Sequence, residues 1–262
     1  MSWWQALLLG LIQGLTEFLP VSSSGHLELG KALLNVDITE NLLFTVVVHI
    51  ATVLSTIVVF RKEIGKLFVG FFSKGKNDEK SFVWKLLLSA VPVAIVGFLF
   101  KDYVDELFDG RIILVGCMLL VTAAFLTISY FVKKGDREIN WLDTLIIGVG
   151  QAVAVMPGLS RSGTTIATGM MIGNKPSVLA KFSFLMVIIP VLGEMFLDLV
   201  GGDIATAAGS IGTIPLLVGF LAAFLSGLFA CKWMIRIVSK GKLIWFAVYC
   251  VVIGIIAIIC GL

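Results

Sequence analysis

The sequence predicts an all-α integral membrane protein with about six transmembrane helices, two re-entrant helix pairs and an inverted-topology repeat. All of it forms a single membrane domain over residues 1–262. Three observations predict this. The chain is 58% hydrophobic and only 14% charged, with a mean hydropathy of +1.05, a balance outside that of ordinary soluble domains. Its apolar runs lack the strict alternation of barrel strands, and several are long enough to cross a hydrocarbon core of ~30 Å as helices. Lys and Arg collect in every second loop, the asymmetry that orients a multi-spanning protein.

The spans fall at about 42–60, 83–100, 112–132, 178–198, 215–238 and 243–261. Arg61, Lys62, Lys66, Lys74, Lys76, Lys80 and Lys85 follow the first. Lys133, Lys134 and Arg137 follow the third, and Lys232, Arg236, Lys240 and Lys242 gather near the junction of the last two. These positions are expected in the cytoplasm, with the stretch 61–85 serving as an orientation signal and lipid contact. The segments 101–111, with Asp102, Asp105, Glu106 and Asp109, and 198–214, with Asp198 and Asp203, are expected outside. Met1 to Leu9 carries no Lys or Arg, so no cleavable signal peptide is expected. The net charge of +3 fits loops against an anionic leaflet rather than nucleic-acid binding. Trp3, Trp4 and Trp141 suit interfacial anchors, and Glu194 a snorkelling end. The four cysteines have no metal-ligand spacing and suit apolar packing.

Two apolar regions remain, roughly 3–33 and 141–175, each broken by Pro or Gly with Ser beside a charged or imidazole group. The flanking spans require the first to enter and leave on the outer side and the second on the inner side. Such re-entrant backbone survives at membrane depth only when buried in protein or lining a wet cavity. At one constant offset Gly10, Gln13, Ser22, Ser24 and Gly25 match Gly148, Gln151, Ser160, Ser162 and Gly163, and Phe44 matches Phe182. Opposite entry makes this an inverted repeat, approximately 1–132 and 141–262, whose site is expected near the midplane where the broken helices meet.

The first break lies in GLIQGLTEFLPVSSSGH, residues 10–26. Gln13 and Glu17 share a helix face one turn apart, Pro20 ends the helix, and Ser22, Ser23, Ser24 and Gly25 start a second. His26 suits proton transfer near neutral pH. Glu17 can activate it, take a proton from a nucleophile or hold a divalent cation. Ser23 is the chosen nucleophile or phosphate ligand, with Ser22 and Ser24 as competing choices. Gln13 is neutral, so a metal site here would consist of Glu17, with Gln13 beside it, plus phosphate oxygens and water, as Mg²⁺ or Ca²⁺ accepts.

The second break is PGLSRSGTT, residues 157–165, where Arg161 is the only cation between Trp141 and Gly173. Its planar fork suits a phosphate or carboxylate. Ser160, Ser162, Thr164, Thr165 and the backbone N–H groups of Gly158 and Gly163 add donors, so the segment reads as an oxyanion cradle, with an Arg161–Glu17 pair as the structural alternative. His49, within VVVHIATV, suits a helix-packing hydrogen bond or a place on the cavity wall.

Together these motifs resemble the undecaprenyl pyrophosphate phosphatases, or bacitracin-resistance proteins, over essentially the whole chain. The carriers are Gln13 to Glu17 with Pro20 to His26, and Pro157 to Thr165. The resemblance implies a bacterial plasma-membrane hydrolase that removes the terminal phosphate of the C55 lipid diphosphate, so that the carrier is reused in peptidoglycan synthesis. It also implies an active site opening to the outer side, assistance by a divalent cation, and a homodimer. By position Glu17, Ser23, His26, Ser160, Arg161 and Thr165 match the family's active-site residues. Many members carry Glu where this chain has Gln13, and Lys181 stands where Arg is expected. The competing expectation is a transporter or flippase of polyprenyl phosphate lipids, since inverted repeats of broken helices are also a transporter architecture. An acid-phosphatase-like lipid phosphatase would need a further His after Arg161, and His26 and His49 both precede it.

Overall fold

The computed structural model describes residues 1–36, 41–100, 103, 106, 107, 111–133, 135–201 and 211–261. Asp102, Asp105, Asp109, Asp203 and Lys134, assigned above to loops, lie outside the described residues, as does the side chain of Asp198. Among the described residues twelve helices run in order: α1 (Trp3–Thr16), α2 (Ser23–Leu34), α3 (Asn41–Val59), α4 (Arg61–Phe72), α5 (Asp78–Leu99), α6 (Ile112–Phe131), α7 (Trp141–Val153), α8 (Arg161–Met171), α9 (Pro176–Met186), α10 (Ile188–Gly201), α11 (Thr213–Ser239) and α12 (Ile244–Gly261).

Among the described residues five stretches are long and apolar enough to cross a bilayer: α5, α6, α9 continued into α10, α11 and α12. The helices α3 and α4, bent by 76° at their junction, pass the same test only when taken together. In the apolar windows of the five, at most 44% of residues are buried within the protein. Leu225, Phe229, Trp245 and Ile259 are among the large side chains left outside, as a lipid-facing surface requires. This is a multi-pass membrane protein.

Two segments differ from the sequence expectation. The span near 178–198 is two helices meeting at Val187, because Pro190 lacks an N–H and its ring crowds the carbonyl of Met186. The stretch 61–85, expected as a basic connection, contains α4, and α5 begins earlier, at Asp78. Asn77 caps α5 by accepting from the N–H of Lys80 at 2.8 Å, and Asp78 and Glu79 complement its positive end. No residue of α4 is buried. Phe68, Val69 and Phe72 are exposed beside Arg61, Lys62 and Lys66, the make-up of a helix lying in a membrane interface.

The first helix of each short pair packs along a full span, α1 on α11 and α7 on α5. Close approach depends on missing side chains. A Cβ at Gly14 would collide with Ser226 Oγ and the Ala223 carbonyl, and one at Gly148 would lie 2.7 Å from the Ser89 carbonyl. The spans α6 and α12 meet at Gly116 and Gly254, where a Cβ on either would approach the other's carbonyl oxygen within 2.9 Å. These two glycines are related by the same 138-residue offset as Gly10 and Gly148.

Replacing Gly14 by Val should overpack the α1–α11 seam at a cost of about 1–3 kcal/mol, seen as a lower thermal midpoint in detergent. Gly97 has nothing within 4 Å of a built Cβ, so Gly97→Ala should leave the midpoint unchanged or raise it.

Candidate active site

Helix α1 ends where its last turn presents two polar side chains. Gln13 is fully buried, and its Nε2 donates to Glu17 Oε2 at 2.8 Å, the one-turn pairing expected from the spacing. Glu17 caps the C-terminus of α1, where the helix dipole disfavours a negative charge. Its compensation comes across the break, where Ser23 Oγ donates to the same Oε2 at 2.6 Å. The carboxylate thus holds the hydroxyl of the first residue of α2.

Between them the chain turns through Pro20 and Ser22. Ser22 has φ 69°, a left-handed value that a serine adopts at a cost of about 1–3 kcal/mol. It is the N-cap of α2, its Oγ accepting from the Gly25 N–H at 3.3 Å. Its carbonyl accepts twice from His26, from the backbone N–H at 3.1 Å and from ring Nδ1 at 2.8 Å. A carbonyl can only accept, so Nδ1 carries a proton. The other ring nitrogen, Nε2, lies 2.8 Å from the Tyr249 hydroxyl on α12.

The second break repeats this construction. Ser160 caps α8 by accepting from the Gly163 N–H at 3.1 Å, and Ser160 and Ser162 lie 3.4 Å apart, as Ser22 and Ser24 lie 3.3 Å apart. Gly158 at φ 93° supplies the turn, and Thr122 on α6 clamps it. The Thr122 hydroxyl accepts from the Ser160 N–H at 2.9 Å and faces the Gly158 carbonyl at 3.1 Å.

The two breaks touch. A Cβ on Gly25 would lie 2.9 Å from Gly158 Cα, one on Gly163 would lie 3.2 Å from Pro20 Cβ, and Ser162 Oγ donates to the Leu19 carbonyl at 3.3 Å. The first two contacts are mirror statements of each other, since Gly158 and Gly163 stand at the repeat offset from Pro20 and Gly25. The N-termini of α2 and α8 are therefore brought together, and both carry positive dipole ends.

Arg161 opens α8 at this junction. Its Nη1 is buried with no hydrogen-bond partner among the described residues, and no ion pair within 4.0 Å joins it to Glu17. A buried guanidinium nitrogen without a partner costs more than any ordinary missing bond, and an anion supplies what it lacks. Ser23, Ser24, His26, Arg161 and Ser162 remain partly exposed. Ser22, Ser160 and Thr165 are buried, and their hydroxyls are engaged inside the protein, that of Thr165 with Ser183 at 2.7 Å and the Arg161 carbonyl at 2.9 Å. Thr164 Oγ1 is buried without a partner among the described residues.

His49 makes no hydrogen bond to another helix among the described residues, but it lies beside the first break. Its Nδ1 bonds the Thr45 carbonyl one turn back at 2.8 Å, and its Nε2 lies 4.0 Å from Glu17 Oε2. Tyr249 and Thr122 were not legible, because each acts through contacts distant in sequence and neither belongs to a polar cluster. Their only signal is a hydroxyl in an apolar span. Among the described residues no group of three or more His, Cys, Asp and Glu could hold a metal ion. The buried Gln13 Oε1, unpartnered beside Glu17, fits a cation shared with substrate oxygens and not a cage built by the protein.

The sequence model of the bacitracin resistance protein BacA matches residues 6–256. The chain belongs to the BacA family. Among its relatives, an undecaprenyl-diphosphatase of Parabacteroides distasonis is 55% identical over 267 residues, covering 100% of this chain and 99% of its own. One from Bacteroides fragilis is 54% identical over 99% of this chain and 98% of its own, and one from the more distant Methanobrevibacter smithii is 37% identical over 96% and 95%. The BacA-family match spans α1 through most of α12, so both breaks and the spans that clamp them belong to one unit.

Thr122→Val keeps the shape of the clamp in this BacA-family chain but leaves the buried Ser160 N–H unsatisfied. It should cost about 1–3 kcal/mol and lower the thermal midpoint measured in detergent.

Proposed function

We propose that this chain is an undecaprenyl-diphosphate phosphatase, hydrolysing the outer anhydride of a polyprenyl diphosphate to the monophosphate and inorganic phosphate. One observation carries the reading: the apposed breaks join a hydroxyl held on a carboxylate, Ser23 on Glu17 at 2.6 Å, to a buried guanidinium nitrogen that lacks a partner. Relatives with that activity, more than half identical over their full lengths, favour hydrolysis over lipid carriage.

The terminal phosphate sits at the paired N-termini of α2 and α8, with Arg161 and the Ser162 hydroxyl as side-chain donors. Charge spread over the transferring phosphoryl group is met there by donors already in place. Glu17 takes the Ser23 proton as Oγ bonds to phosphorus, and the bridging P–O bond breaks to release the polyprenyl phosphate. Water then attacks the phosphoserine. His26 Nε2 takes the water's proton, Glu17 returns its own to Ser23 Oγ, and phosphate leaves. Gln13 keeps Glu17 oriented throughout.

A divalent cation, Mg²⁺ or Ca²⁺, would be held by Glu17 with Gln13 Oε1 and would neutralise charge on the diphosphate. The distribution of Lys and Arg opens the site to the outer side of a bacterial plasma membrane, with repeats 1–132 and 141–262 inverted about it. The lipid tail leaves sideways between helices into the bilayer, and two copies associate as a homodimer. Such an enzyme returns the lipid carrier to cell-wall synthesis, and faster recycling explains resistance to bacitracin.

The test is phosphate release from a C15 or C55 diphosphate by the purified chain, with and without chelator. Release by the native protein is expected. Arg161→Ala should lower turnover by about 10³-fold or more, with Arg161→Lys restoring little because it lacks the planar fork. His26→Ala and Ser23→Ala should each lower it by about 10²-fold or more while folding is intact. No release under any cation would favour transport, and near-normal turnover in Arg161→Ala or His26→Ala would sink the assignment of the site.

A further inference from the structure

We propose that Tyr249 is a positioning residue for His26, its hydroxyl holding the Nε2 lone pair in its working direction until the attacking water takes the hydroxyl's place. This rests on the hydrolytic reading above and adds a residue that neither motif contains.

The argument starts from the Ser22 carbonyl. It forces the proton of a neutral His26 ring onto Nδ1, which leaves Nε2 as the acceptor. The group facing Nε2 at 2.8 Å is the Tyr249 hydroxyl, which therefore donates. The two rings also lie nearly parallel, at 12° with centroids 5.5 Å apart, so the imidazole is held at both nitrogens and across one face. One hydrogen bond alone would let the ring swing about the bond to Ser22. The second, from another helix, removes that freedom.

The place of Tyr249 in the chain makes the contact costly to explain by packing alone. Within α12, IWFAVYCVVIGIIAIICG, Tyr249 is the one hydroxyl, and its ring is 41% exposed on an apolar span. Phe would cover the same surface without placing a polar atom in the span. Tyr249 instead spends its hydroxyl on His26. The next residue, Cys250, is fully buried with Sγ 3.8 Å from the Pro20 carbonyl, so consecutive residues of α12 touch both sides of the Ser22 turn. The backbone that carries them is anchored on α6 through Gly254 and Gly116, and α6 holds the other break through Thr122. A ring orientation set from α12 is thus referred to the same frame that sets Arg161.

During hydrolysis the Tyr249 hydroxyl yields Nε2 to the water. The water's proton passes to Nε2, its oxygen bonds to phosphorus, and the Ser23 Oγ–P bond breaks.

The experiment uses the purified full-length chain in detergent with C15 diphosphate as the probe, and compares the wild type with Tyr249→Phe and His26→Ala. Tyr249→Phe keeps the ring and removes only the hydroxyl, and an unchanged thermal midpoint checks its fold. The expected result is a fall in kcat of roughly three- to ten-fold, the worth of one net hydrogen bond, with KM within about two-fold. The pH–rate limb that reports His26 should also move, because the hydroxyl contacts the nitrogen that titrates. Wild-type kcat with an unmoved pH profile in Tyr249→Phe would overturn the proposal. So would a raised KM with unchanged kcat, which would make Tyr249 a contact for the lipid tail. The two readings separate on His26→Ala: if that variant turns over normally the site assignment itself fails, whereas a dead His26→Ala beside a normal Tyr249→Phe removes only the role of Tyr249.

Discussion

The structure depends on two helix N-termini placed against each other inside a hydrocarbon-bounded protein. Backbone there has no water to bond, so a broken helix must be capped from within. Ser22 and Ser160 do this for one N–H of each helix. Other N–H groups of the first turns have no intrahelical acceptor, and the dipoles of α2 and α8 add like charge to that of Arg161. Such a junction is unfavourable as it stands and becomes favourable when an anion enters. Under the proposed function, the stability given up at the junction is recovered when the terminal phosphate of the substrate binds there.

Reciprocal close contacts hold the unfavourable ends in place. Gly25 against Gly158 and Gly116 against Gly254 leave no room for an added Cβ without a shift, and Gly163 against Pro20 leaves little. The Phe18 and Phe184 rings, edge to face at 5.9 Å, close the apolar wall beside the break. Dispersion and exclusion of water at these contacts oppose the repulsion, and the rigid result keeps Ser23, His26 and Arg161 in register with one another.

The spans and the polar character of both breaks were legible because each depends on local spacing. A run of apolar residues, a pair one turn apart or a proline before serines needs no knowledge of the rest of the chain. Helix α4 was hidden because its Lys and Arg carry the same orientation signal whether the backbone is coiled or not. The break at Val187 was hidden because Pro190 is also tolerated within an unbroken span, as Pro92 is in α5. Thr122 and Tyr249 could not be found at all, since they matter through contacts with residues 36 to 38 and 223 positions away. Arg161 stood out in the sequence as a lone cation, and the structure adds that its Nη1 lacks a partner among the described residues.

The neutral side chain at position 13 then has a physical meaning. A second carboxylate one turn from Glu17 would set like charges side by side at the C-terminal end of α1, where the dipole already opposes negative charge. It could bind a cation tightly, but unless protonated it could not donate a proton to Glu17. Gln13 donates through Nε2 and keeps Oε1 as a neutral acceptor. Glu17 is thereby left with a single negative charge shared between Gln13 and Ser23, which under the proposed function suits a base that takes the serine proton and returns it. Any cation drawn to this site would owe most of its attraction to the diphosphate, so its arrival would be coupled to that of the substrate. Substrate charge would then do what a second acid does elsewhere, and the site would avoid holding two buried carboxylates when empty.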